Sequence, residues 1–167
     1  VSSLEIGVDS LSVIEQPQLD SPRREKPVVM YGTSILQGGC ASRPGMAFTN
    51  ILSRRLNREC INLVFSGNAF LDFEVAELMS GVDASAFVLD FVPNVTVEQM
   101  EERMDKFYHI IRDKHPDTPI IFVEDPIFTS THYDIKGGES LSKLNETLLR
   151  KFKELKKTEK HIYYVSS

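Results

Sequence analysis

At 167 residues, 41% of them hydrophobic, the chain is long enough for one domain with its own apolar core, and its two cysteines exclude a fold stapled by disulfides. A net charge of −5, with acidic and basic residues interspersed, leaves no basic stripe for a phosphate backbone, so nucleic acid is not an expected partner. No apolar run approaches the roughly 20 residues that cross a bilayer, so no membrane span is expected.

Residues 1–26 read differently from the rest. Leu4, Ile6 and Val8 alternate, as do Leu11 and Val13, before Gln16-Pro17 and the charged run Arg23-Arg24-Glu25-Lys26. Alternation at period two predicts a short extended segment, and the polar stretch after it a linker. Residues 1–26 are therefore expected to be the tail of an upstream domain, and 27–167 the folded domain. The chain opens on Val1 without a charged-then-apolar leader, which fits a leader or a preceding domain having been removed. A secreted or periplasmic location is the working expectation.

From Pro27 onward, short apolar runs bounded by turn residues alternate with amphipathic stretches. The runs predict strands at Val28–Tyr31, Ile61–Phe65, Ala86–Phe91, Ile120–Glu124 and Ile162–Val165. Helical stripes at spacings of three and four are Phe48, Ile51, Leu52 and Leu56; Phe73, Ala76 and Met79; Val97, Met100, Met104, Phe107 and Ile111; and Leu141, Leu144, Leu148, Phe152 and Leu155. Thr96 with Gln99 forms a capping-box pattern, and Asp72 is a candidate N-cap. Strands alternating with helices imply parallel pairing through right-handed crossovers. The expected fold is α/β, a three-layer sandwich around a five-stranded parallel sheet in the flavodoxin-like order 2-1-3-4-5. In this layout Cys40 lies beyond the first strand and Cys60 at the opposite end of the second, too far apart to bridge. Because the last strand lies at the end of the sequence, an exposed apolar strip of a few hundred Å² is expected near Tyr163 or Val165, unless another chain buries it.

Three successive strand ends carry polar chemistry. Gly32-Thr33-Ser34-Ile35 follows the first, Ser66-Gly67-Asn68 the second and Val92-Pro93-Asn94 the third. Ligands of open α/β sheets collect beyond these ends. A hydroxyl, a glycine amide approachable without a Cβ, and a side-chain amide make up a nucleophile and the donors for an oxyanion, which is the equipment of acyl transfer. Gln37 and Arg43 follow Ser34 closely and are candidates for holding a sugar hydroxyl or a carboxylate. Asp90, inside an apolar strand, must find donors and is expected to brace the Asn94 loop. Of the four histidines, His109 and His115 fall on or after the third long helix, and His161 opens the last strand at the wrong end of the sheet. His132, in the loop after Asp125-Pro126, is on the correct rim and is a candidate for contacting the substrate or serving as the base, the alternative being a solvated loop histidine.

Gly32-Thr33-Ser34-Ile35 resembles the first block of the SGNH, or GDSL-like, hydrolases, with threonine in place of the usual aspartate, and the longer string Gly32-Thr33-Ser34-Ile35-Leu36-Gln37-Gly38-Gly39-Cys40-Ala41-Ser42-Arg43-Pro44-Gly45 looks like one branch of that family. Gly67 matches the second block and Asn94 the third. The resemblance covers about Pro27 to Ser167 and is to the branch often preceded by a small β-sandwich domain. It implies that Ser34 is the nucleophile of an acyl-enzyme, and that the Ser34 amide, Gly67 and Asn94 form the oxyanion hole. It also implies a small-molecule or carbohydrate ester, often an acetyl ester, as substrate, with no cofactor and no metal. The family's Asp-x-x-His block would follow the fifth strand, so the base is expected beyond Ser167. The alternative is a non-catalytic domain that binds a carbohydrate or acyl ligand. A flavodoxin-like cofactor or receiver domain would need a phosphate loop or an acidic cluster, and neither is in the sequence.

Overall fold

The structure, a computed structural model, describes residues 3, 5, 7–15 and 25–167. Leu4, Ile6 and the Gln16-Pro17 and Arg23-Arg24 positions lie outside the described residues. Of the segment before them, Ser10 and Leu11 form a turn rather than a strand. The Asp9 carboxylate accepts from the Leu11 N–H at 2.8 Å, and Val8, Leu11, Val13 and Ile14 are exposed.

The five strands are β1 (Val28–Gly32), β2 (Cys60–Val64), β3 (Ala86–Asp90), β4 (Ile120–Val123) and β5 (Ile162–Val165), all parallel, in the order β2-β1-β3-β4-β5. Order and type are those expected, and no strand end shifts by more than one residue. Phe91, read as the last residue of β3, instead leads into a 3-10 turn over Val92–Asn94, and Pro93 sits in the first turn, where its missing N–H costs nothing. The helices are α1 (Ser34–Gln37), α2 (Phe48–Leu56), α3 (Phe73–Ser80), α4 (Val97–Arg112) and α5 (Ile135–Leu155). The Thr96–Gln99 capping box closes α4 in both directions, whereas Asp72 stands at the N-cap of α3 without a side-chain bond to it.

The two faces of the sheet differ. Toward α3, α4 and α5, Phe87, Leu89, Ile120, Phe122 and Ile162 pack with Met100, Met104, Phe107 and Leu148 in one continuous core. Alternation turns Ala86, Val88, Ile121, Val123, Tyr163 and Val165 to the other face, where α1 and α2 cover β1 and β2. Tyr163 and Val165 there stay about half exposed, at 50% and 49%, as expected of the strip. The packing of α4 against β4 and β5 turns on Arg112. Its buried guanidinium donates to the carbonyls of His115, Pro116, Thr118 and His161 and to the Tyr108 hydroxyl, satisfying a loop and the start of β5 at once. Cys40 is exposed and Cys60 half-buried, both as free thiols, with burial pushing the Cys60 thiol up.

Candidate active site

Parallel pairing brings the ends of β2, β1 and β3 side by side. Gly32 is opposite Val64 on one side and Asp90 on the other, so the turns carrying Ser34, Gly67 and Asn94 leave one edge from neighbouring strands. The ladder continues past the strands, with the Phe65 N–H donating to the Gly32 carbonyl at 3.0 Å and the Thr33 N–H to the Asp90 carbonyl at 3.2 Å. Gly32 is required there, since a Cβ would meet the Asp90 carbonyl oxygen at 2.5 Å and Leu36 at 2.9 Å. Buried Thr33 caps α1 through its hydroxyl, which leaves exposed Ser34 as the first residue of the helix.

The second and third turns are tied together. Asn94 Oδ1 accepts from the Ala69 N–H at 3.3 Å, which commits its oxygen to the protein and leaves Nδ2 as the outward donor. The hydroxyl of buried Tyr31 accepts from the Leu71 N–H at 2.9 Å, anchoring the other end of the same loop, and burial pushes that phenol up to about 12. Gly67 lies at φ +69° with open space where a Cβ would stand, and buried Leu71 holds φ +59°. A leucine in the left-handed region costs on the order of 1 kcal/mol or more, a strain that packing and the Tyr31 bond sustain.

Asp90 is buried, as its strand position requires, but none of the described hydrogen bonds joins it to the Asn94 loop; its carbonyl accepts from the Thr33 N–H of the turn after β1 instead. Its Oδ1 has no hydrogen-bond partner, and neither has Oδ1 of Asp125, two residues beyond β4 on the same face. Desolvation, and then the charge of Asp125, push the Asp90 carboxyl up to about 7, while desolvation pushes Asp125 to about 6. Asp125 was not singled out by the sequence, nor was its support: Asn145 of α5 accepts from its N–H and donates to its carbonyl, both at 3.0 Å. The available signal was an asparagine inside the apolar stripe Leu141, Leu144, Leu148. A further anchor is Glu124, whose carboxylate accepts from the Tyr164 hydroxyl and from the Ser167 N–H and hydroxyl, at 2.9 and 3.0 Å for Ser167.

The remaining candidates separate. Gln37 and Arg43 line one cleft of about 360 Å³ between α1 and α2, whose lining does not include Ser34. His132 ends the 3-10 turn Thr129–His132 between β4 and α5, on the expected rim, and the role of its side chain lies outside the described residues. His109 lies on α4; His115 reaches the Ser80 carbonyl at 2.9 Å and packs on Phe87, and His161 faces Asp117 at 3.8 Å at the amino end of β5. Among the described residues no group of three or more His, Cys, Asp or Glu side chains is placed to hold a metal ion.

This arrangement has relatives. The model of the GDSL-like lipase/acylhydrolase family matches residues 25–167, and the chain belongs to that family. It is similar to the crystal structure of a protein assigned as a GDSL-like lipase from Bacteroides ovatus, at 40% identity and a TM-score of 0.82, covering 86% of this chain and 43% of that one. The salicylyl-acyltransferase SsfX3 of a tetracycline biosynthetic pathway shares the fold at 18% identity and a TM-score of 0.70, over 85% of this chain and 43% of that one. So does a family two carbohydrate esterase from Clostridium thermocellum in complex with cellohexaose, at 14% identity and 0.65, over 85% and 54%. The chain thus spans about half the length of these structures or less. No curated protein matches it.

Proposed function

We propose that the chain carries the nucleophile and oxyanion hole of a serine ester hydrolase. Ser34 passes its proton to a base and attacks the acyl carbon, its own N–H, the Gly67 N–H and Asn94 Nδ2 receive the oxyanion, the ester C–O bond breaks and the alcohol leaves with that proton, and water then hydrolyses the acyl-Ser34 bond to release the acid. The observation that carries this reading is the tie between Asn94 and Ala69, which joins the turns after β3 and β2 on either side of β1 and leaves the Asn94 amide nitrogen as a donor at the edge where Ser34 stands exposed. Small acyl esters of carbohydrates are the proposed substrates, a reading supported by the carbohydrate esterases among the structures of like fold.

The base is proposed to come from an Asp-x-x-His block following Ser167, where Glu124 fixes the chain as it leaves β5. The test is hydrolysis of p-nitrophenyl acetate by the 167-residue chain and by a longer chain that includes the downstream sequence. The longer chain is expected to turn over and its Ser34→Ala variant to lose that activity, while the shorter one stays near background. Robust, Ser34-dependent turnover by the shorter chain would place the base within it and promote His132. Inactivity of both would favour the second reading, a ligand-binding domain, which the positions of His109, His115 and His161 away from this edge support.

A further inference from the structure

We propose that the cleft between α1 and α2 is a binding site for a hydroxylated ring that carries a negative charge, in chemical class a sugar acid bearing a carboxylate. Residues 26–58 contain Lys26, Arg43, Arg54, Arg55 and Arg58 and not one aspartate or glutamate, in a chain whose net charge is −5. Acidic and basic residues are mixed along most of the chain, but not here. Lys26 is paired with Asp83 and Arg58 with Glu25, whereas Arg43, Arg54 and Arg55 enter none of the described ion pairs. Arg43 is the charged residue of the cleft lining, with no acidic side chain beside it there, so the charge the cleft offers a ligand is positive.

The lining supplies the rest of the recognition. Asn62 on β2 donates to the Thr49 hydroxyl at 3.1 Å, and Asn50 on α2 donates to the Pro44 carbonyl at 2.8 Å. Both amides are therefore held by their NH₂ groups, and their carbonyl oxygens are left to accept. Gln37 and Arg43 make none of the described side-chain hydrogen bonds, so an amide and five guanidinium N–H groups remain to bind. Acceptors and donors interleaved in this way suit ring hydroxyls, each of which is both, and the planar fork of Arg43 suits a carboxylate. The volume of about 360 Å³ lies within the usual range for small-molecule sites, about 300–1,000 Å³.

Position links the cleft to the reaction. Gln37 is the last residue of the helix that Ser34 begins, roughly 5 Å further along its axis, and the Gly39 N–H donates to the Ser34 carbonyl at 3.2 Å. The cleft therefore begins at the far end of the one-turn helix that carries the proposed nucleophile. The role of a bound ring as the alcohol side of the ester rests on the function proposed above, while binding itself does not.

The test follows amide signals of the isotope-labelled 167-residue chain during titration with glucuronate, glucose and acetate. Glucuronate is expected to shift Gln37, Asn50 and Asn62, to bind about tenfold more tightly than glucose or acetate, and to weaken on raising salt to about 0.2 M. Arg43→Gln, at an exposed position, is expected to weaken glucuronate binding about tenfold and leave glucose binding unchanged. Equal binding of glucose or of acetate, shifts confined to another surface, no binding, or an unchanged glucuronate affinity in Arg43→Gln would each overturn the proposal. Loss of the esterase reading in the turnover assay would leave this binding result standing.

Discussion

Asn94 does two things with one side chain: its oxygen holds the β2–α3 loop through Ala69, and its nitrogen is offered to the oxyanion. Asn94→Asp separates the two, because a carboxylate still accepts from the Ala69 N–H but donates nothing. In the active, longer chain, kcat for p-nitrophenyl acetate is expected to fall about 10²–10³-fold with the melting temperature nearly unchanged, whereas Asn94→Ala should lower both. Asp90 sets a different dependence. Its folded value of about 7 lies above the ordinary 3.8, so the folded state holds a proton that the unfolded state has released. The associated stability is complete below about pH 4 and is lost progressively as pH rises to about 7, with Asp125 adding to the fall over the lower part of that window. Urea unfolding at pH 5 and pH 8 should therefore show a loss on the order of a few kcal/mol. That loss should shrink in Asp90→Asn; an unchanged slope would mean that the carboxyl is ionised throughout.

Among the elements, α4 is held from both ends by polar groups rather than by its stripe alone. The capping box starts it, and at its last turn Arg112 replaces a set of lost backbone partners with one buried cation. Arg112→Lys keeps the charge but cannot reach four carbonyls and a phenol from one nitrogen. It is expected to cost about 3–5 kcal/mol, read by thermal or urea unfolding, because carbonyls of the loop and of His161 are left without donors. The first two turns of α5 make the opposite case. Gly137 and Gly138 disguise them in the sequence, yet the Asp134 carboxylate accepts from the Gly137 N–H at 3.0 Å and starts the helix six residues before the stripe begins at Leu141.

For the molecule as a whole, the sheet face opposite α4 carries an apolar surface from half-buried Ile121 and Val123 to exposed Tyr163 and Val165. A parallel sheet whose one face is covered over β1 and β2 but not over β5 exposes more contiguous apolar area there than isolated surface residues do. The 167-residue chain is expected to bind a hydrophobic dye such as ANS and to self-associate in sedimentation at rising concentration. Val165→Lys should reduce both without lowering the melting point, since that side chain is half exposed already. A monomer with no dye binding would show the face to be closed in solution.

What could be read along the chain was whatever local pattern controls. Continuous apolar runs and stripes of spacing three and four dictate strands and helices, the handedness of crossovers then leaves few sheet orders, and Ser34, Gly67 and Asn94 are legible because turn chemistry falls at run ends. What only the tertiary structure decided depends on register between segments far apart in sequence. The isolation of Asp90 and Asp125 follows from the β3–β4 register, with Leu89 opposite Phe122, which puts both carboxylates on one face without a donor for either Oδ1. The gathering of Gln37, Arg43, Asn50 and Asn62 in one cleft follows from α1 and α2 closing over β2. Periodicity tells which side of an element is buried, and it carries no information on which polar groups meet there; burial and pairing are set by the packing of elements against one another.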